Sequence, residues 1–283
     1  EMTVTGPFFF NCGTRNDGNR FYATSGNLNL TGTPVNIVNN GCFTATTQFD
    51  ADNATTNLRF IGGTQAVTAG AAITANNFTL GYTGNAQTKS IPVIAATHGA
   101  LIDDSGFTGV TTTFSGLVRA LGTGTAVQYV SSGSHTIVNT GALTVPTGNM
   151  WIQSSTGALT MTNTGGATLG GTAMGSLTLS PSGAGSIVLN GATMTVNRDL
   201  TSNDPGGRVS GTMPITMSSA LNGVAITLGT GSLGTTGTFT INKTNATDVV
   251  GINSLAARFN ATAQTFAITR GTVRVNPATG TCS

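Results

Sequence analysis

Charge is scarce in this chain of 283 residues, at 7% against the roughly one quarter usual in soluble domains. Nine acidic residues, Glu1 being the single Glu, two His and three Cys leave few groups able to move protons or hold metals, which argues against an enzyme. The 11 Lys and Arg are scattered singly and the net charge is +2, so the clustered cations that bind phosphates are missing and no nucleic acid partner is expected. No apolar run approaches the ~18 to 20 residues of a membrane helix, so the chain is not expected to be transmembrane. Phe8, Phe9 and Phe10 form too short a run for the core of a signal peptide; if exported, this is a mature form with its signal removed.

Cysteine occurs at Cys12, Cys42 and Cys282, with no CxxC pair and no His nearby, so neither a metal site nor a cofactor is expected. A Cys12 to Cys42 disulfide, as in an exported protein, and three free thiols both remain open, and Cys282 could pair with either. Six N-x-S/T sequons, at Asn29, Asn53, Asn77, Asn242, Asn245 and Asn260, are about what the composition yields by chance.

What is present in abundance is Gly (40), Thr (54), Asn (25) and Ser (20), about half the chain. These residues are poor in helix interiors, whereas Thr, Val, Ile and Phe suit strands. A positive mean hydropathy of +0.14 with a small net charge separates the chain from disordered sequences, and an ordered all-β protein is expected.

A repeat organises the middle of the chain. Gly141-Ala142-Leu143-Thr144-Val145 is followed by Gly157-Ala158-Leu159-Thr160-Met161, by Gly175-Ser176-Leu177-Thr178-Leu179 and, with one residue inserted, by Gly191-Ala192-Thr193-Met194-Thr195-Val196, so that the leading glycine returns at nearly even steps. Apolar and polar residues alternate, placing Leu143, Leu159, Leu177 and Met194 in one expected column and Val145, Met161, Leu179 and Val196 in another. Further strand-like runs at 149–153, 167–169 and 186–190 lie between the repeats, bounded by turn residues. This pattern predicts an elongated parallel β-solenoid with coils of roughly 17 residues; antiparallel β-sandwich domains are the alternative. The expected organisation is an N-terminal cap or donor segment at 1–25, a solenoid body at 26–244, and a C-terminal segment at 245–283 with a short helix at 249–259 and final strands.

Residues 120–197 contain no Asp, Glu, Lys or Arg; Thr, Ser and Asn must hydrate that surface or ladder from coil to coil. Runs such as GNLNLTG (26–32), GALTV, GALTM, SIVLNGATMTV (186–196) and TFTINKT (238–244) resemble secreted bacterial β-strand-repeat proteins and the β-solenoid stalks of filamentous adhesins, a likeness of style spanning about 26–276. The resemblance implies a right-handed β-solenoid at the cell surface and an adhesive or fibrous role, with no catalytic residues to carry over.

Some β-helices are polysaccharide-active enzymes, so His98 with Asp103-Asp104 is one acid and base candidate, but a single Asp pair without a second acidic cluster reads as an exposed polar turn. Asp50 and Asp52 read likewise, with weak calcium binding as a lesser option. Lys89-Ser90 lacks the preceding Gly of a phosphate loop, and His135 is expected on the surface or in a ladder. Thr-x-Thr pairs at Thr44/Thr46, Thr160/Thr162, Thr193/Thr195 and Thr238/Thr240 suggest an ice-binding face as a minor alternative. Trp151, Tyr22, Tyr82 and Tyr129 are the rings on which a glycan could stack in a monomeric carbohydrate-binding adhesin that meets host or matrix polysaccharide. The leading expectation is an extracellular, self-assembling filament subunit or stalk segment, a homopolymer joined through strand edges. Its N-terminal segment, with Val4, Phe8, Phe9 and Phe10, is the candidate assembly element, as a donated strand or a cap.

Overall fold

The computed structural model describes residues 2–4, 8–12, 26–30, 35–39, 50–51, 56–60, 63–69, 73–75, 77–91, 94–96, 101–116, 118–120, 125–170, 175–228, 233–253 and 264–275. Cys12 closes the strand Phe8–Cys12, whereas Cys42 and Cys282, and with them the expected disulfide, lie outside the described residues.

Strict alternation decides the local structure. In Val110–Phe114, Leu143–Val145, Asn149–Ser154, Ala158–Asn163 and Leu177–Pro181 every second residue is buried and its neighbours are half-buried, the mark of a strand with one face on a core. Corners of only a few residues cut these strands short. A parallel pair needs a connection of a dozen or more residues. The chain supplies it by turning two corners and running along two other sides before returning.

The result is a parallel β-solenoid with three sides. Among the described residues the first sheet has 12 strands, from Met2–Val4 to Thr272–Val275, and the second and third have 10 each. The ladders run through both expected segment boundaries, because Met2–Val4 already pairs with Gly26–Leu30, and Val249–Asn253 pairs with Val224–Leu228 and Thr272–Val275. At ~4.8 Å per coil the body is about 50 Å long. The antiparallel alternative is overturned by these parallel registers.

The coil is larger than the motif spacing suggests. In the first sheet Val127 faces Met150, Met150 faces Leu177 and Leu177 faces Leu200; in the third, Leu143, Ala167, Met194 and Ile215 face one another in turn. One return to the same side thus takes the chain from Leu143 to Ala167, well past the next motif at Leu159. The single column expected for the four motifs therefore does not form: Leu143 and Met194 lie in the third sheet, Leu159 in the second and Leu177 in the first. Each motif step covers two sides of the coil, about two thirds of a turn. The helix expected at 249–259 is also corrected. Val249–Asn253 is a strand with Val250 and Ile252 buried, alternation outweighing the helix formers that follow, and 254–263 lie outside the described residues.

Inside, side chains stack like on like. Leu143, Ala167, Met194, Ile215 and Phe239 form one enclosed column of the third sheet, and Met150, Leu177, Leu200 and Ile226 one of the first. Each buried Leu or Ile contributes roughly 1.5–3 kcal/mol.

The corners explain the Gly and Thr content. At the corner between the second and third sheets, Gly116, Gly141 and Gly165 stack, and a Cβ on Gly141 or Gly165 would press into the backbone of the glycine one coil earlier. Beside them Thr140 donates from its hydroxyl to the Phe114 carbonyl, and Thr164 to the Asn139 carbonyl, both at 3.2 Å. Hydroxyls thus hold coil to coil without any charge, in the stretch where charge is missing.

Candidate assembly surface

A parallel solenoid has two unlike ends, and each presents strand edges. At the far end the last described strands are Phe266–Arg270 and Thr272–Val275. Phe266 stacks on the enclosed Phe239 with centroids 5.6 Å apart and planes 9° from parallel. It continues that core column but is 37% exposed; Ile268, opposite the buried Ile241, is 53% exposed, and Val275, opposite Ile252, is 47% exposed. Ile268 and Val275 are core positions on the strands that end the third and first sheets among the described residues. The exposed Arg270 and Arg274 stand on the same strands.

Beneath this coil lies a charged cluster. Lys243 is 2% exposed, and its Nζ donates to Ser219 Oγ at 2.8 Å. Burial pushes the Lys243 ammonium below its ordinary pKa, and Asp248 and then Asp199 pull it partly back. Asp248 accepts from the Asn245 backbone at 3.1 Å, while its own carbonyl receives the Thr272 N–H at 2.8 Å, which seats the last coil. A lysine whose folded pKa is lowered holds fewer protons folded than unfolded. Its cost is therefore fully present below the folded pKa and relieved as pH rises through the window up to the unfolded value. Urea unfolding at pH 7 and at about 9.5 should show wild type gaining stability relative to Lys243→Met across that interval; a constant difference between the two would remove the assignment.

At the near end, Met2–Val4 and Phe8–Cys12 are the edge strands of the first and second sheets, paired within their own chain to Gly26–Leu30 and Val35–Asn39. The candidate assembly residues Val4, Phe8, Phe9 and Phe10 thus belong to the first coil. Val4 stands in register with Leu30 and, one coil further, with the buried Phe60; Met2 stands in register with Leu28, Leu58 and the buried Phe78. Among the described residues these strands pair on one side only, so the backbone here offers a parallel edge of the same polarity as the surface that each interior coil presents to the one before it.

The remaining sequence candidates disperse. Tyr129 is fully enclosed and stacks on Phe114, and Tyr82 is 8% exposed, so neither can offer a ring to a glycan; Tyr22 lies outside the described residues. Trp151 is half-buried on the outer face of the first sheet between Gln128 and Thr178, with its indole N–H enclosed and unpartnered. Strand alternation turns Tyr129 inward, and Tyr82 is buried with Thr112, His135 and Lys89, so of the described candidate rings Trp151 alone stays on an outer face. His98 and Asp52 lie outside the described residues, while Asp50 is in the edge strand Asp50–Ala51 of the third sheet. Asp103 and Asp104 lie in the strand Leu101–Ser105, paired with Leu80 and Tyr129 and with Val130, instead of in a turn. Among the described residues no three His, Cys, Asp or Glu converge on a possible metal position, and no helix is long and apolar enough to cross a membrane.

Lys89 points inward at 1% exposure, and so does His135, whose expected place was the surface or a ladder. Lys89 Nζ donates to Gln65 Oε1 at 2.5 Å and to the Gly63 carbonyl at 3.2 Å, and lies 4.9 Å from the Tyr82 ring centre. Tyr82 Oη and Thr112 Oγ1 are 2.6 Å apart, and Thr112 Oγ1 is 3.0 Å from His135 Nε2. Sequence reasoning misses this polar cluster, although the alternation signals it: Lys89 is two positions before the buried Ile91, and His135 two before the buried Ile137.

Of the threonine pairs, Thr160 and Thr162 face out from the second sheet, Thr195 and Thr240 face out from the third, and Thr44 and Thr46 lie outside the described residues. No protein-family model matches this chain, and no curated protein or solved structure does either.

Proposed function

We infer that the protein is a structural subunit that stacks end to end, the far coil of one copy continuing into the near coil of the next, to build an extracellular surface filament or stalk. The observation that carries this reading is the exposure of core-column residues Ile268 and Val275 in the last described coil. Water-facing apolar edges of this kind recruit further strands unless blocked. Because every coil has the same polarity, the contact is heterologous and does not close on itself, so it propagates as a fibre. The scarcity of charge, and of convergent titratable groups among the described residues, supports a scaffold over an enzyme.

Negative-stain electron microscopy of the full chain should show uniform filaments with an axial repeat near one body length, about 50 Å plus the joint. The Ile268→Lys/Val275→Lys variant, altered at positions already half-exposed, should keep its β-rich circular dichroism yet appear as single short rods. Wild type that stays dispersed as short rods at high concentration would overturn end-to-end stacking.

A further inference from the structure

We propose that the outer face of the third sheet carries a binding site for a sugar acid, a sugar ring bearing a carboxylate. A cavity of about 370 Å³ lies there, bordered by Arg119, Thr144, Pro146, Thr168 and Gly170. Arg119, Thr144 and Thr168 are successive rungs of one outward column, in register across three coils. Their Cα positions therefore stand in a row with steps of ~4.8 Å, and the guanidinium and the two hydroxyls project from that row on one face.

Three observations select the ligand class. Arg119 is exposed and has no ion pair or hydrogen bond with any described residue, so its fork of donors is open to a planar carboxylate, which it binds in bidentate fashion. The Thr144 and Thr168 side-chain hydroxyls likewise make no protein hydrogen bond among the described residues, and they can exchange such bonds with the hydroxyls of a sugar. The space is far larger than a lone inorganic oxyanion needs. The Pro146 ring and the Thr methyls give it carbon surface suited to the C–H face of a pyranose, and Gly170 completes its described border. Arg119 is also the last cation before the charge-free residues 120–197, so no neighbouring lysine or arginine of that stretch competes for the anion.

This site goes beyond the assembly reading and does not need it: it sits on a side of the body, clear of both ends, and single rods should bind as filaments do. Its use in a filament would be regular display of one acid-sugar site per subunit.

The test is saturation-transfer NMR on the Ile268→Lys/Val275→Lys rods and on wild type, with D-glucuronate, its neutral counterpart D-glucose, and acetate as probes. Glucuronate should give saturable binding in both forms and bind more tightly than either other probe. Arg119→Gln should weaken glucuronate about ten- to hundredfold, the loss expected for a charged hydrogen-bonded pair. Thr144→Val should weaken it severalfold, each variant keeping the wild-type circular dichroism. Equal binding of acetate and glucuronate, binding untouched by Arg119→Gln, or no saturable binding up to tens of millimolar would each overturn the assignment.

Discussion

Gly141→Val should destabilise the protein by at least about 3 kcal/mol and open the surrounding coils to hydrogen exchange. A Cβ at Gly141 would meet the carbonyl carbon and oxygen of Gly116, and Gly165 stacks on the other side of Gly141 so closely that a Cβ there would meet the Gly141 carbonyl in turn. The backbone has no room to yield. Thr140 N–H donates to the Phe114 carbonyl and Val118 N–H to the Ala142 carbonyl, both at 2.9 Å, while the next coil is tied by Thr164 N–H to the Asn139 carbonyl at 2.9 Å and by Leu143 N–H to the Gly166 carbonyl at 3.0 Å. Insertion of the side chain must break at least one ladder, and the unpaired groups add their own cost. Gly206 is the matched control, since a Cβ there meets nothing within 4 Å, and Gly206→Ala should change stability by less than about 0.5 kcal/mol. Urea unfolding gives the sum. Exchange mass spectrometry should place the loss of protection in His135–Asn139, Leu143–Val145 and Ala158–Asn163. A Gly141→Val protein within about 1 kcal/mol of wild type would contradict the tight corner stack.

Asp204→Ala comes next, at about 3 kcal/mol. The Asp204 carboxylate is 1% exposed and organises the loop before Val209–Gly211: Oδ1 accepts from Gly206 N–H at 2.9 Å, and Oδ2 from Arg208 N–H at 2.7 Å and Val209 N–H at 3.2 Å. Removing it leaves three backbone donors without their acceptor, in a corner where the Pro205-Gly206-Gly207 sequence has no other side chain to offer one. Asp204→Asn keeps a single carbonyl oxygen and should recover part of the loss. Its urea midpoint should fall between those of wild type and Asp204→Ala; if all three coincide, the carboxylate is not the organiser of this loop.

Much of the fold is readable in the sequence because its rule is local. Alternation alone identifies Leu143, Leu159, Leu177 and Met194 as core positions, and each is fully enclosed. The parallel solenoid follows from the in-register return of the leading glycine. What cannot be read is which strand lies over which. All three corners impose the same demand on their glycines: Gly141 and Gly157 sit against the backbone one coil below, and Gly175 and Gly191 adopt φ of +119° and +102°. The motif therefore recurs at every second side, and the step from Gly141 to Gly157 imitates a coil that in fact closes only at Gly165. For His135, residue type outweighs position in a sequence reading, although its place in the alternation with Ile137 points inward, as that of Lys89 does with Ile91. The Arg119 cavity is hidden because its members lie a full coil apart along the chain and meet only through stacking.

That mismatch between motif and coil governs how such a chain can change in length. From Leu143 to Met194 three motif steps return to the same face after two coils. Adding or deleting a single motif would rotate every downstream strand by two thirds of a turn, moving outward columns to a different side and breaking the row of Arg119, Thr144 and Thr168 if it fell among them. Three motifs at a time, a stretch as long as that from Leu143 to Met194, preserve the phase. Growth by internal duplication of motifs is thus quantised, and a functional face survives it only in steps of two full coils.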